Sequence, residues 1–238
     1  MAVERTRVYT LIDALKRIKE WSQAHPDHYP IMIMLEIKES GLGEGYTQPL
    51  PFSKSELKNL ESEILQVFGK DEILKPDDIR RNRSTLREAV LQEGWPTLKQ
   101  VKGKVVFAMD NTSPVRDRYI EDAMNLAGRL MFVSVDENHP AAAWMKINDP
   151  VGEFEKIQRL VRSGFMVRTR ADSGTKESRL NDSSKKEKAF ASGAQFISTD
   201  YPEPDTRFSS YQVRFKNNIK VRTNPVNGHP ELRGKELE

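Results

Sequence analysis

Residues 165–172 read FMVRTRAD, and this stretch decides the fold. It is a short β-prone run that closes on charge. Three other runs share the pattern: KVVFAMD at 104–110, LMFVSV at 130–135 and QFISTD at 195–200, so that three of the four end in Asp. Between them lie helical candidates at 118–127, 151–163 and 186–192, the second carrying Phe154, Ile157, Leu160 and Val161 at helical spacing. Residues 142–148 (AAWMKIN) add another short strand. Alternation of β and α elements predicts a parallel sheet, and apolar strands that end in polar residues place chemistry at their C-terminal ends, as a β/α barrel does.

Upstream, residues 10–24 form an amphipathic helix with Leu11, Leu15, Ile18 and Trp21 or Ser22 on one stripe, ended by His25-Pro26-Asp27-His28-Tyr29-Pro30. The run 31–38 (IMIMLEIK) is a strand apolar on both faces, which a covered parallel sheet requires. Residues 39–51, with three Gly and two Pro, form a loop. Ser53 and Glu56 make a capping box that starts a helix at Lys54, with Leu57, Leu60, Ile64, Leu65 and Phe68 inward and Gly69 as its stop. A second box, Thr85 and Glu88, opens a short helix that Gly94 and Pro96 end. Residues 173–188, polar and rich in Ser and Lys, are expected as a mobile loop above the strand ends, and 229–238 as a flexible tail after one domain at 1–228. The fold class is α/β: five to six parallel strands with flanking helices, short of the eight that a closed barrel of this type needs.

Composition narrows the function classes. The 238 residues carry 38 basic and 35 acidic side chains, a net charge of +3. Residues 151–238 hold 17 basic and 12 acidic groups, an excess of five that makes no case for nucleic acid. No window is apolar enough to span a membrane, and charges interrupt the N-terminus too often for a secretory signal. The absence of cysteine excludes disulfides, thiol nucleophiles and Cys-based metal sites. Of the four histidines, only His25 and His28 are close in sequence; Pro26 opposes helical i,i+3 ligation, and both precede a strand, so they read as structural.

Strand alternation then selects faces. Met32, Met34, Glu36 and Lys38 share one side of the first strand; Met166, Arg168, Arg170 and Asp172 share one side of another. These charges would line a single pocket mouth, with Asp110 and Asp200 ending two more strands. Arg168 and Arg170 form a fork suited to phosphate or a polyol. Glu36 suits a hard cation such as Ca²⁺, as one ligand where several are needed. A buried ion-pair lattice without chemistry is the competing reading. Asn111 and Arg116 also follow a strand, without an assignment.

With these residues in view, the chain resembles the calcium-dependent phosphatidylinositol-specific phospholipase C family, within the phospholipase-C-like phosphodiesterases. The resemblance is carried by 18–40 (IKEWSQAHPDHYPIMIMLEIKES), 84–111 (STLREAVLQEGWPTLKQVKGKVVFAMDN), 164–172 (GFMVRTRAD), 189–202 (AFASGAQFISTDYP) and 221–228 (VRTNPVNG). It implies a TIM-like barrel that cleaves the phosphodiester of an inositol phospholipid at a membrane surface. In that reaction the inositol 2-hydroxyl attacks phosphorus, one histidine is the base, a second assists the phosphoryl or leaving oxygens, and Ca²⁺ lowers the hydroxyl's pKa. By motif position Glu36 matches a calcium carboxylate; Lys38, Arg168 and Arg170, with Asp172 beside them, would hold phosphate and inositol; Asp200 would orient the first histidine. The family's first three strands, which bring a His-Asn pair, a Glu-x-Asp pair and the second histidine, have no match here. Two explanations follow: a fragment of an ordinary enzyme, or a genuine short form that borrows strands or no longer catalyses. A non-catalytic inositol-phosphate binder and a glycerophosphodiester phosphodiesterase are the alternative functions.

Overall fold

The structure, a computed structural model, describes residues 8–41 and 43–232. Contacts divide the chain after Ala142 into two compact units.

In the first unit, helix α1 (Leu11–Ala24) starts where the Thr10 hydroxyl accepts the Asp13 N–H. Strand β1 (Ile31–Leu35) follows, then α2 (Lys54–Val67), whose Ser53–Glu56 capping box forms as expected. Short helices α3 (Pro76–Arg80), α4 (Leu86–Gln92) and α5 (Leu98–Val101) lead to β2 (Val105–Met109), α6 (Val115–Ile120) and β3 (Met131–Val133). The sheet order is β1-β2-β3, all parallel, with Ile31 opposite Val105 and Phe107 opposite Met131. Central β2 is buried throughout, while all five residues of β1, at the sheet edge, are only half-buried.

Leu15, Leu57, Ile64, Phe68, Ile79 and Phe107 fill the core; each buried side chain of this size contributes about 1.5–3 kcal/mol of transfer free energy. The inward stripe of α2 differs from the expected one. Leu65 faces solvent, Leu60 is half-buried, and Glu61 goes inside instead. It does so because its carboxylate has three donors: the Tyr119 hydroxyl, the Leu130 N–H at 2.7 Å and Arg129 at 3.4 Å. Gly69 is no left-handed stop, since its φ is −65° and the extended Phe68 caps α2. Gly94 does play that part for α4, at φ +70°. The helix expected at 118–127 instead begins at Val115, because Pro114 sets a near-helical φ at its N-cap.

The second unit holds β4 (Trp144–Lys146), α7 (Phe154–Arg162), β5 (Met166–Arg170), α8 (Lys176–Leu180), α9 (Ser184–Ser192) and β6 (Phe196–Ser198). Its sheet order is β4-β5-β6, again parallel. Val167, Thr169 and Ala171 are fully buried on one face of β5, against which α7 and α9 pack. The expected loop at 173–188 is largely helical. Glu177 is buried where it accepts the Ser173 N–H at 3.0 Å and pairs with Lys185 at 3.8 Å, and Asn181 ends α8 in the left-handed region at φ 51°. The Asp182 carboxylate then accepts the Ser184 N–H at 2.9 Å and opens α9.

The described strands thus number six, all parallel, as two three-stranded sheets; among the described residues no closed barrel forms. Of the expected tail, residues 230–232 form a 3₁₀ turn and 233–238 lie outside the described residues. No described helix is long and apolar enough to cross a membrane.

Candidate functional site: the C-terminal strand ends

In the first unit, the strand ends are laced by charge pairs. Glu36 and Lys38 lie just past β1, both exposed, and form an ion pair with each other. Between them Ile37 is buried. Its N–H donates to Asn111 Oδ1 at 2.7 Å and its carbonyl accepts from Asn111 Nδ2 at 2.8 Å, so Asn111 ties the end of β1 to the end of β2. Glu39 accepts the Phe52 N–H at 2.7 Å and pairs with Arg118, whose hydrogen bond holds the Glu39 carboxyl below the usual carboxylate range. Arg116 pairs with Asp117 at 2.7 Å and donates to the Ser134 carbonyl at 3.0 Å.

The histidines fall on different sides. His139 lies beyond β3, on the rim side, with Nδ1 accepting the Ala141 N–H at 3.1 Å; its neutral ring therefore carries the proton on Nε2. Partial burial and the Arg116 charge push its pKa down. His25 and His28 precede β1. His28 bonds the Ser22 hydroxyl at 2.7 Å and the Tyr29 carbonyl at 2.6 Å, and His25 stacks on Trp21 with ring centres 4.2 Å apart. Theirs is a structural setting, as expected.

In the second unit, register rather than sequence gathers the cations. Lys146 is paired with Arg168, and Arg168 with Phe196; Arg170 is paired with Ser198. Paired residues of parallel strands project to the same face, as do residues two apart. One face therefore carries Trp144 and Lys146 from β4, Arg168 and Arg170 from β5, and Phe196 and Ser198 from β6. Arg168 is buried and braced by two neutral oxygens: Nη1 donates to Asn148 Oδ1 at 2.6 Å and Nε to Ser198 Oγ at 2.7 Å. Half-buried Arg170 differs, because its guanidinium makes no hydrogen bond or ion pair among the described residues. Trp144 is fully buried with its indole Nε1–H unpartnered.

Asp172, expected to line a pocket mouth, is 1% exposed. Its oxygens accept the Thr199 hydroxyl, the Asp200 N–H at 2.9 Å and the Tyr211 hydroxyl at 3.4 Å. The residue thus pins the segment after β6 from below and is not open to a ligand. Burial beside this carboxylate raises the Tyr211 pKa, so the hydroxyl stays a donor. Exposed Asp200 is thereby held by its backbone while its side chain stays at the surface.

Sequence reasoning therefore located Arg168 and Arg170 on one face, in accord with the structure. It found the strand bearing Lys146 but gave that lysine no role; a basic residue closing a short apolar strand was the available signal. Asn148 and Ser198, the braces of Arg168, carry no motif.

Ca²⁺ takes six to eight oxygen ligands. Among the described residues no group of three or more His, Cys, Asp or Glu side chains could hold a metal ion, and Glu36 offers a single carboxylate already paired with Lys38. These residues do not by themselves fit the cation.

Comparison with known proteins completes the picture. A family model described as phosphoinositide phospholipase C, Ca²⁺-dependent, matches residues 3–225. A Ca²⁺-dependent phosphatidylinositol-specific phospholipase C from Streptomyces antibioticus is similar in fold, with a TM-score of 0.58 and 17% identity over 83% of this chain and 72% of that one. A calcium-dependent phosphoinositol-specific phospholipase C from a Pseudomonas species, an apo form in complex with myo-inositol, gives a TM-score of 0.52 and 18% identity over 71% of this chain and 60% of that one. No curated protein matches the chain.

Proposed function

This chain belongs to the Ca²⁺-dependent phosphoinositide phospholipase C family, and from that membership we propose that it serves as a phosphoric diester hydrolase of the phospholipase C type, acting on phosphatidylinositol at a membrane surface. The carrying observation is Arg170: a half-buried guanidinium at a strand's C-terminal end, without a protein acceptor among the described residues, two positions from buried Arg168 on the same face. A cation in that setting is compensated by an anionic ligand, and a guanidinium pair matches the oxygens of a phosphodiester.

In this reading Arg168 and Arg170 neutralise the phosphoryl oxygens and fix the headgroup. Asp172 holds the Thr199–Asp200 backbone so that the Asp200 carboxylate reaches an inositol hydroxyl or orients the catalytic base. Lys38, in the first unit, is already offset by Glu36. Glu36 is one oxygen donor toward a metal. The histidine base has no assigned counterpart: His25 and His28 lie before β1, His28 with both ring nitrogens engaged and His25 with Nδ1 on the Trp21 carbonyl, and rim-side His139 has Nδ1 taken by the Ala141 N–H. A second reading, an inositol-phosphate binder without catalysis, is favoured by the same lack of a metal-ligand cluster among the described residues.

Two measurements test this. Titration calorimetry of the 238-residue chain with myo-inositol 1-phosphate should show binding that Arg170→Gln weakens by at least tenfold; no heat with the unsubstituted chain would sink both readings. Incubation of the same chain with phosphatidylinositol vesicles and Ca²⁺ separates the two readings. Calcium-dependent release of inositol phosphate is the outcome of the hydrolase reading and dismisses the second; binding without release leaves only the binder.

A further inference from the structure

We propose that residues 214–222, packed beside helix α9 in the second unit, form a docking patch for an anionic lipid surface. Helix α9 packs against the face of β5 opposite to Arg168 and Arg170, so the patch is separate from the strand face that carries them. The proposal goes beyond the headgroup reading and stands without it.

Three observations carry it. The first is charge. Residues 206–230 hold five basic side chains, Arg207, Arg214, Lys216, Lys220 and Arg222, and no Asp or Glu. Asp205 pairs with Arg207 and Glu203 with Arg214, from just before that stretch. Lys216 and Lys220 are exposed and form no ion pair among the described residues. Arg222 donates to the Phe190 carbonyl at 2.7 Å and has no carboxylate partner among them either. The second is the setting of Arg222. Its guanidinium lies 4.6 Å from the Phe215 ring centre and 5.6 Å from that of Phe190, and the two rings are 4.9 Å apart. Burial pushes its pKa below the ordinary guanidinium value, and an approaching anion would offset that cost. The third is what separates the cations in sequence: Phe215, Ile219 and Val221, all half-buried, leave apolar surface among them. A bilayer surface uses both kinds of group at once. Apolar side chains enter the headgroup boundary while Lys and Arg reach the lipid phosphates. A soluble acidic peptide would match the charges and leave the apolar residues idle. A nucleic acid would stack its bases on open rings, and Arg222 already occupies Phe215.

Sedimentation of the full chain with vesicles that contain no inositol lipid tests the patch. Vesicles of phosphatidylcholine mixed with phosphatidylserine should bind the parent about tenfold or more tightly than phosphatidylcholine alone, and about 0.5 M salt should remove the difference. The double variant Lys216→Gln, Lys220→Gln should lose about tenfold or more on the anionic vesicles, at roughly fivefold for each cation near the surface. Ile219→Ser should lose roughly threefold on the same vesicles while binding heparin as the parent does. Lys156→Gln, which removes a lysine paired with Glu153 on α7, should bind as the parent. Equal binding to the two kinds of vesicle, or a double variant that binds like the parent, would overturn the proposal. No loss from Ile219→Ser would assign the patch to a soluble polyanion and overturn it as well. Because these vesicles lack inositol and the headgroup test uses a soluble ligand, either reading can fail alone. Should the double variant not fold, the parent protein decides. Acetylation of Lys216 and Lys220 by an amine-reactive ester, followed by mass spectrometry, should be slower by roughly threefold or more on the anionic vesicles than on the neutral ones, and equal rates would exclude the patch.

Discussion

The two units use their basic residues differently at the ends of the same kind of sheet. In the first, Lys38, Arg118 and Arg116 each sit against a carboxylate supplied by a near neighbour or an adjoining loop: Glu36, Glu39 and Asp117. In the second, Arg170 has no such partner among the described residues. A carboxylate both orients a guanidinium and cancels its charge. The number of cations at a rim is therefore no measure of its capacity for an anion. The lesson is that the partner's charge, more than the residue itself, marks a binding face.

The largest expected effect breaks or keeps this contrast directly. Arg170→Gln should cost at least tenfold in inositol-phosphate affinity, while Lys38→Gln should cost no more than about twofold, because surface ion pairs leave little net charge to lose. Equal losses, read by calorimetry, would erase the distinction between the units.

Next come two buried tyrosines, Tyr119 and Tyr211, one from each unit. The Tyr119 hydroxyl donates to Glu61 and accepts the Met131 N–H at 3.0 Å, and burial raises its pKa well above the ordinary value. Tyr119→Phe leaves the buried Met131 N–H without its acceptor and takes one of two donors from Glu61 Oε1, and should destabilise by about 1–3 kcal/mol. The Tyr211 hydroxyl donates to the Ala171 carbonyl at 3.2 Å. Tyr211→Phe should cost about 1 kcal/mol, and by loosening Asp172 should speed amide exchange at Asp200. Chemical denaturation and hydrogen exchange check both, and a larger loss at Tyr211 would reverse the ranking.

Smaller effects sharpen the contrast. Glu36→Gln removes the partner of exposed Lys38 and should cost at most about 1 kcal/mol of stability by chemical denaturation, an effect gone in 0.5 M salt as screening shortens the reach of exposed charges. Smallest is a pH effect at His139. Its folded pKa is depressed, so the unfolded chain binds the proton more readily. The stability this contributes is present above the unfolded value of about 6.5 and is lost as pH falls from there toward the folded pKa. His139→Asn should flatten that part of the stability–pH curve, and an unchanged slope would refute the role of Arg116 and burial.

Much of the architecture was legible because it depends on neighbours in sequence. Thr10, Ser53 with Glu56, and Thr85 bond backbone groups three residues on, so their helix starts could be read from spacing. Alternation along 165–172 likewise put Arg168 and Arg170 on one side. What resisted reading depends on partners distant in the chain. Glu61 looks like a surface residue of α2 until Leu130, Arg129 and Tyr119 surround its carboxylate. Residues 173–188 look like a loop until the Ser209 hydroxyl donates to the Ser178 carbonyl and Lys186 to the Gln212 carbonyl. Asp172 looks like a site residue until Thr199 and Tyr211 enclose it.

By itself, then, the amino-acid order determined the family, through the motifs it shares with it, and the parallel α/β class, the helix caps and the arginine fork, which follow from periodicity and short-range hydrogen bonding. Tertiary structure alone decided which of the rim charges are cancelled, that β4 brings Lys146 alongside Arg168, and that Asp172 is buried. Those outcomes depend on strand register and desolvation, which are set by groups tens of residues apart, and no local pattern encodes them.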